Sequence, residues 1–508
     1  MGATAPPPVQ RKRRPPNHRD GHPAGSASRE LHPFRQLRLP AWMDGPMTSA
    51  HLVLVSGGLL LAIGLVMVFS ASSIEAALAQ EPAWAPGVQQ MIWAALGLVA
   101  MVVALRLRAG LIRRWAPIAL VGSALLLVLV LVPGIGVRIN GARGWFDLGF
   151  ASMQPSELAK LAFALWGAHV LALRDRHLTV ETLLVSLVPV FLALSALVIL
   201  EPDFNGVVCL FLVLVGLLWA GGATWRVWTW LLGMAVVAGT MLVAFFPYRA
   251  ARITSFLHPF ADRAGDGFQA IHGFYALASG GLWGVGLGNS RMKWDLLPHA
   301  ESDYIFAIIG EELGFLGCLV VVVLYGVLAW AGFRIARRST DRFIELAAAS
   351  ITVWLIGQAC LNMGYVVGLL PVTGVTLPLI SAGGTSLVLT LFTVGQLIRF
   401  ALTEPEAIEY AGRQQRGRLS RMLLPVPQRP VDPVRPLRRL QPAPSAHAPR
   451  GGSSAGCRHP APERHRRPAP RGSPACRPAM GGAGLEQHRS PARPPGSLDR
   501  LRGHAGGW

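Results

Sequence analysis

The sequence predicts an all-α integral membrane protein of about ten transmembrane helices, with a large extracellular loop between the seventh and the eighth. Three observations predict it. Hydrophobic residues make up 52% of the 508 and charged residues 15%, with a mean hydropathy of +0.42, a balance found in membrane proteins rather than soluble domains. Ten apolar runs of roughly 17–29 residues approach the ~20 that a helix needs to cross hydrocarbon. Arginine is distributed unevenly between alternate short loops, which sets an orientation.

In chain order the spans are 51–71, 86–105, 115–133, 156–173, 180–200, 206–222, 228–247, 304–333, 343–371 and 376–402. With the N-terminus inside, the inner loops hold eleven arginines: Arg106, Arg108, Arg113, Arg114, Arg174, Arg176, Arg226, Arg334, Arg337, Arg338 and Arg342. The short outer loops hold two, Arg138 and Arg143. Both tails are therefore expected in the cytoplasm. The long outer loop, 248–303, carries Arg249, Arg252, Arg263, Arg291 and Lys293 against this bias. Long loops follow the rule weakly, and basic residues held outside suit an anionic headgroup. No internal repeat is evident, which weakens an inverted-repeat transporter reading.

The membrane domain is expected over 47–402, between two disordered tails, 1–46 and 403–508. The tails are rich in Arg, Pro, Gly and Ala and cannot bury enough apolar surface to offset their ordering entropy. Much of the net charge of +20 lies in them. It favours the lipids of the anionic cytoplasmic leaflet and is no signal of nucleic acid. Cys209, Cys318 and Cys360 lie in apolar runs and Cys457 and Cys476 in the tail, with neither metal spacing nor a disulfide framework. No cleavable signal peptide is expected, since the first apolar run, from about His51, is long enough to stay in the membrane. Only three of the 47 basic residues are lysines: Lys12, Lys160 and Lys293. In so arginine-rich a chain, a retained lysine reflects either chance or a need for a compact, mobile ammonium.

Four stretches could carry chemistry. The first is the glycine-rich outer loop 134–155, followed by Ser156-Glu157-Leu158-Ala159-Lys160. Ser156 or Gln154 could cap the next helix, with Pro155 in its first turn. Glu157 and Lys160, three apart, share a helix face. They either neutralise one another at the membrane edge, or leave Lys160, with Arg143, to meet a phosphate. The second is Glu201-Pro202-Asp203, where the carboxylates could bind a cation but more simply cap the following helix. The third is Lys293–Gly317, a polar loop entering a hydrophobic helix with Asp303 at the point of entry. Ionisable groups at such a place are costly and usually functional. Glu311 and Glu312 lie eight and nine residues further on, roughly 12 Å along a helix axis. That is too far from Asp303 for a close glycosidase pair, so they are expected to bond neighbouring helices. Asp303 itself could be no more than a helix cap. The fourth is Pro371–Gly374 with Pro378–Ser386, which breaks the last two spans. Irregular backbone at membrane depth is tolerated where protein or a cavity covers it, so Ser381 belongs to a wall facing a site, or to close helix packing at small residues.

Together these stretches resemble the SEDS family (shape, elongation, division and sporulation), and within it the cell-division branch in its actinobacterial form. The resemblance runs from about 51 to 412 through GARGWFDLGFASMQPSELAKLA (141–162), EPDF (201–204), KWDLLPHAESDYIFAIIGEELGFLG (293–317), NMGYVVGLLPVTGVTLPLISAGGTS (362–386) and TEPEAI (403–408). It implies a ten-helix membrane enzyme that polymerises lipid II into peptidoglycan glycan strands at the septum of a bacterial cell membrane. It also implies a complex with a class B penicillin-binding protein and other divisome proteins. The family's essential acidic residue corresponds to Asp303. Three departures stand out. The usual Glu-Ala-His-Thr-Asp reads His299-Ala300-Glu301-Ser302-Asp303, the usual Pro-Asp-x-Gly-Thr reads Pro202-Asp203-Phe204-Asn205-Gly206, and Ala382 stands where Tyr is common.

The expected chemistry is an inverting glycosyl transfer with Asp303 as base. Arg143, Lys160, Arg291 and Lys293 are expected to contact the diphosphate and headgroup, and Glu157 and Ser381 to contribute to the substrate site. A divalent cation, Mg or Mn, could share the phosphate work, although no ligand cluster demands one. Two other classes remain open: a lipid II flippase, in which Asp303 binds rather than reacts, and a non-catalytic scaffold for the penicillin-binding protein.

Overall fold

The computed structural model describes residue 2 and residues 45–139, 142–147, 149, 152–174, 180–245, 252, 254–261, 265, 267–294, 297–298 and 300–413. The chain divides into two units, Met1–Leu437 and Arg438–Trp508, and every described residue belongs to the first. His299, Arg249, Arg263, Arg176, Lys12 and most of both tails lie outside the described residues.

Among the described residues twelve helices and three strands follow in order: α1 (Thr48–Leu78), α2 (Ala85–Arg106), α3 (Ala109–Leu131), β1 (Gly136–Ile139), β2 (Ala142–Asp147), β3 (Ser152–Met153), α4 (Pro155–Ala172), α5 (Val180–Leu200), α6 (Phe204–Gly221), α7 (Trp225–Phe245), α8 (Phe268–Gly280), α9 (Ile305–Arg338), α10 (Arg342–Val366), α11 (Gly384–Ala401) and α12 (Pro405–Arg413). The ten helices of 18 or more residues, α1–α7 and α9–α11, each overlap one expected span. Seven of them, α1–α3, α6 and α9–α11, are long and apolar enough to cross a membrane.

Small residues let the helices approach closely, as expected where lipid supplies no hydrophobic drive between them. A Cβ on Gly216 of α6 would stand 2.7 Å from the Ser350 backbone of α10, and one on Gly395 of α11 would stand 2.6 Å from the Met101 backbone of α2. Large side chains fill the interior: Trp354, Tyr304, Tyr365, Phe163, Phe343 and Phe400 are buried. Outward faces stay apolar, with Val99, Val121, Leu125 and Val323 exposed, as lipid contact allows.

Four details differ from the sequence reading. Loop 134–155 forms a three-stranded antiparallel sheet, β1-β2-β3, in which Val137 pairs with Trp145 and Phe146 with Met153. Its period-two pattern is too short to stand out among glycines. The long loop expected over 248–303 contains α8. The ninth span ends early and the tenth begins late: α10 stops at Val366, ahead of Gly368 with φ +80°, and α11 starts only at Gly384, because Leu379 at φ +70° breaks the run after Pro378. Finally, α12 occupies 405–413, where a disordered tail was expected. Leu402 just ahead of it and Ala407 within it are buried, and Glu406 pairs with Arg338.

Candidate active site

Asp303 enters α9 but does not cap it. The N-cap is Tyr304, and its side chain makes no cap bond. The peptide ahead of the helix is instead held carbonyl by carbonyl. Glu301 O accepts from the Ala382 amide at 2.9 Å. Ser302 O accepts from the Ser381 hydroxyl at 2.6 Å. Asp303 O accepts from Asn362 Nδ2 and from the Tyr365 hydroxyl, both at 2.8 Å. The loop that supplies two of these donors is fixed in turn. Gln358 of α10 donates to Thr376 O at 3.0 Å, Tyr325 of α9 donates to Pro378 O, and the Leu377 amide donates to Ser381 Oγ at 2.8 Å. The broken backbone of 376–383 thus serves as a template for the residues around Asp303.

The Asp303 carboxylate accepts from the Ser302 hydroxyl at 3.1 Å and borders Gly374. A Cβ on Gly374 would lie 3.1 Å from Asp303 Oδ2 and 3.3 Å from Asn205 Nδ2, and φ there is +77°. Glycine therefore leaves room for a carboxylate and an amide over one Cα. Asn205 donates to Gly374 O at 3.0 Å. Beside it Asp203 caps α6, accepting from the Gly206 amide at 2.9 Å, so the capping role expected of this pair belongs to Asp203. Its other oxygen takes Gln154 Nε2 and the Ser156 hydroxyl, each at 3.0 Å. Gln154 and Ser156 thus bond across to α6 rather than close their own helix, whose N-cap, Gln154, makes no side-chain cap bond.

A cation not singled out from the sequence joins this region. Arg252 donates to Val372 O at 3.2 Å, next to the Gly374 turn. Tyr304 and Tyr365 both feel its charge. Burial first, and the Asp303 carboxylate second, push the Tyr304 phenol above its ordinary range, with Arg252 opposing. The Tyr304 hydroxyl is buried without a hydrogen-bond partner among the described residues. The one sequence signal for Arg252 was a basic residue held outside against the arginine bias.

The expected substrate residues divide into groups. Lys160 is 2% exposed, paired with Glu157 at 2.6 Å and set over the Trp354 ring at 5.6 Å. Glu157 and Ser381 line one small polar cavity with Gln358, Thr376, Ser386 and Thr390, of about 10 Å³, room for a single water. A larger cavity of about 180 Å³ is lined by Ser72, Gln90, Trp93, Ser152, Glu301 and Gly383. Arg143 lies on β2 with its Nε buried and unpartnered among the described residues. Next to it, a Cβ on Gly144 would stand 3.1 Å from Glu201 Oε2. Glu201 is 0% exposed, and both its carboxylate oxygens lack a partner among the described residues. Burial, then the Asp203 charge, pushes its carboxyl up to about 8. Arg291 is exposed. Lys293 is buried, and its ammonium faces Gly288 O at 2.6 Å and Glu312 Oε1 at 3.4 Å. Among the described residues no group of three or more His, Cys, Asp or Glu could hold a metal ion.

The fold and this site define a polytopic helical membrane protein with one acidic residue fixed at the mouth of a broken-helix wall. The family profile of the cell cycle proteins FtsW, RodA and SpoVE matches residues 50–405, and the chain belongs to that family. It is 44% identical over 418 residues to the probable peptidoglycan glycosyltransferase FtsW of Mycobacterium tuberculosis, covering 81% of this chain and 80% of the relative. It is 39% identical over 360 residues to the stage V sporulation protein E of Bacillus subtilis, covering 70% and 98%. Among solved structures it is similar to a chain of a peptidoglycan synthase complex that coordinates polymerization and crosslinking (TM-score 0.59, 27% identity, covering 70% of this chain and 97% of that one). It is also similar to the rod shape determining protein RodA of Thermus thermophilus (TM-score 0.52, 27% identity, covering 72% and 99%).

Proposed function

We propose that this chain is a peptidoglycan glycosyltransferase that polymerises lipid II into glycan strands during septal cell-wall synthesis. The observation that carries the mechanism is the three-carbonyl hold on residues 301–303, which presents one carboxylate at a helix mouth without using it as the cap. In the proposed reaction, Asp303 takes the proton of the GlcNAc 4-hydroxyl of one lipid-linked disaccharide. That oxygen attacks the MurNAc anomeric carbon of the growing strand. The bond from this carbon to the diphosphate oxygen breaks, polyprenyl diphosphate leaves with the electron pair, and the anomeric configuration inverts. Diphosphate is already a good leaving group, so one base suffices when cations offset the charge that develops on it.

Arg252, Arg143 and Arg291 are the cations proposed for the headgroup and diphosphate, with Glu157, Lys160 and Ser381 in the adjoining wall. The ammonium of Lys293 is occupied by Glu312 and Gly288. No step is routed through a divalent cation. The proposed setting is the bacterial cell membrane at the septum, with both tails cytoplasmic and a basic face toward anionic lipids. The proposed partners are a class B penicillin-binding protein transpeptidase and other divisome proteins.

The test is polymerisation of purified lipid II by the protein with its transpeptidase partner, comparing wild type with Asp303→Asn. Glycan product from the wild type and none from a folded, partner-bound variant is expected. Equal product from both would remove Asp303 as the base. Lipid II movement across a bilayer with no polymer would replace this reading with a flippase.

A further inference from the structure

Asp303 stands inside a loop that the protein closes at its base. Lys293 lies ten residues before it and Glu312 nine after it, and their side chains form an ion pair of 3.4 Å. Four further donors strengthen the closure. The Ser290 hydroxyl and the Arg291 amide (2.9 Å) donate to Glu311. The Ser290 amide reaches Glu312 Oε1 at 3.4 Å. From α1, the Ser70 hydroxyl lies 2.7 and 2.8 Å from the two Glu312 oxygens. Glu311 and Glu312 are each 1% exposed and Lys293 6%.

The same place is where α9 breaks. Gly314 has φ +69° and ψ −168°, outside the helical region. The carbonyls of Glu311 and Glu312 accept instead from the amides of Val285 (2.9 Å) and Gly286 (3.1 Å), while the Phe315 amide donates to Gly281 O at 2.9 Å. Segment 281–293 is thus laced to α9 by backbone bonds on one side and by buried charges on the other. With two carboxylates and one ammonium, the charges sum to a formal −1 where an incoming diphosphate would meet repulsion.

We propose that Lys293 and Glu312 are positioning residues for the transfer. Their pair, backed by Glu311, Ser290 and Ser70, sets where Asp303 is presented at the mouth of α9, and Lys293 acts through that placement rather than by touching diphosphate. This rests on Asp303 being the base.

The test joins kinetics to hydrogen exchange on full-length protein with its transpeptidase partner, using Lys293→Met, Glu312→Gln and the double variant. Each single change is expected to lower kcat for lipid II about tenfold or more, since it leaves a buried charge unpaired, with KM within about twofold of wild type. The double variant should be no worse than the poorer single one, the mark of coupled residues. The amides of Val285, Gly286, Ser290 and Arg291 should exchange faster in all three variants. Glu312→Gln keeps the side-chain shape, and unchanged exchange in α10 certifies the fold. A raised KM confined to Lys293→Met, with Glu312→Gln unaffected, would overturn the proposal in favour of direct substrate contact. Multiplying effects in the double variant, or unchanged exchange in 285–291, would overturn it as well. A wild-type protein that makes no polymer would remove the function reading and with it the positioning role. Faster exchange in the variants would in that case still uphold the closure itself.

Discussion

The Tyr365 hydroxyl donates a 2.8 Å hydrogen bond to the main-chain carbonyl of Asp303, so a phenol on α10 helps to set the backbone of the proposed base at the mouth of α9. Asn362, one turn earlier, reaches the same carbonyl at 2.8 Å and Val375 O at 2.7 Å. The two side chains therefore tie the Asp303 peptide to the 373–375 turn through a shared pair of acceptors. Removing the phenol oxygen leaves Asn362 in place, so Tyr365→Phe should cost about 0.5–1.5 kcal/mol, read as a fall in kcat of about two- to thirteenfold. Asn362→Ala leaves two buried carbonyls short of a donor and should fall further. Lipid II polymerisation rates for both variants, at equal folded concentration, check the order; a harsher Tyr365→Phe would contradict it.

Arg252 gives a second prediction. Its guanidinium bonds Val372 O and acts on the tyrosines that flank Asp303. Arg252→Ala should lower polymerisation by about tenfold or more, within the 1.5–3 kcal/mol range of charge-assisted bonds. Arg252→Lys should recover part of that, because an ammonium restores the charge but not the planar fork. Raising the salt concentration should weaken lipid II binding less in Arg252→Ala than in the wild type. Identical salt profiles would take Arg252 out of the substrate's field.

Much of this was legible in the sequence, for reasons that mark where legibility stops. Hydropathy runs overlap the long helices, seven of which, among the described residues, are long and apolar enough to cross a membrane, because a membrane helix must be apolar along nearly its whole length. Asp303 could be found because a charge at such a helix mouth is conspicuous. The β1–β3 sheet and α8 are short, and their backbone bonds leave no long periodic trace. The onset of α11 at Gly384 depended on the Leu379 backbone, which only the packed loop determines. Asn205 and Arg252 come to Asp303 through the Gly374 turn, a tertiary meeting of segments more than 45 residues apart in the chain. Lys160 and Lys293 are both buried and paired with carboxylates, which spacing suggested for the first and could not for the second, whose partner lies 19 residues away.

Glu201 makes stability depend on pH with a defined sign. Its carboxyl is pushed from about 4.5 to about 8 in the folded protein, so the folded state holds a proton there that the unfolded chain releases. Below the unfolded value both states are protonated and burial carries no ionisation cost. As pH rises from about 4.5 toward 8 the folded state loses ground, by an amount on the order of a few kcal/mol at about 1.4 kcal/mol per unit. Glu201→Gln, neutral at every pH, should match the wild-type melting temperature near pH 5 and exceed it near pH 8.5. Parallel melting curves across that window would show that the carboxylate finds a compensating partner.

The break in α9 supports the last prediction. A Cβ on Gly314 would stand 2.4 Å from the Gly284 amide nitrogen and 2.5 Å from Leu282 O. The Gly284 amide already donates to Gly280 O and Leu282 O already accepts from the Leu316 amide, and such backbone atoms cannot yield as a side-chain tip would. The conformation itself, φ +69° with ψ −168°, is one that essentially only glycine adopts, and any other residue there is strained by about 1–3 kcal/mol before the clash is counted. Gly326, twelve residues further along the same helix, has open space where its Cβ would be. Gly326→Ala should therefore be neutral or stabilise by up to ~1 kcal/mol, while Gly314→Ala should lower the melting temperature sharply. Because the broken turn also frees the carbonyls that hold the segment leading to Asp303, Gly314→Ala should lose polymerase activity at temperatures where it is still folded. Equal thermal curves for the two variants would show that α9 can run straight through Gly314.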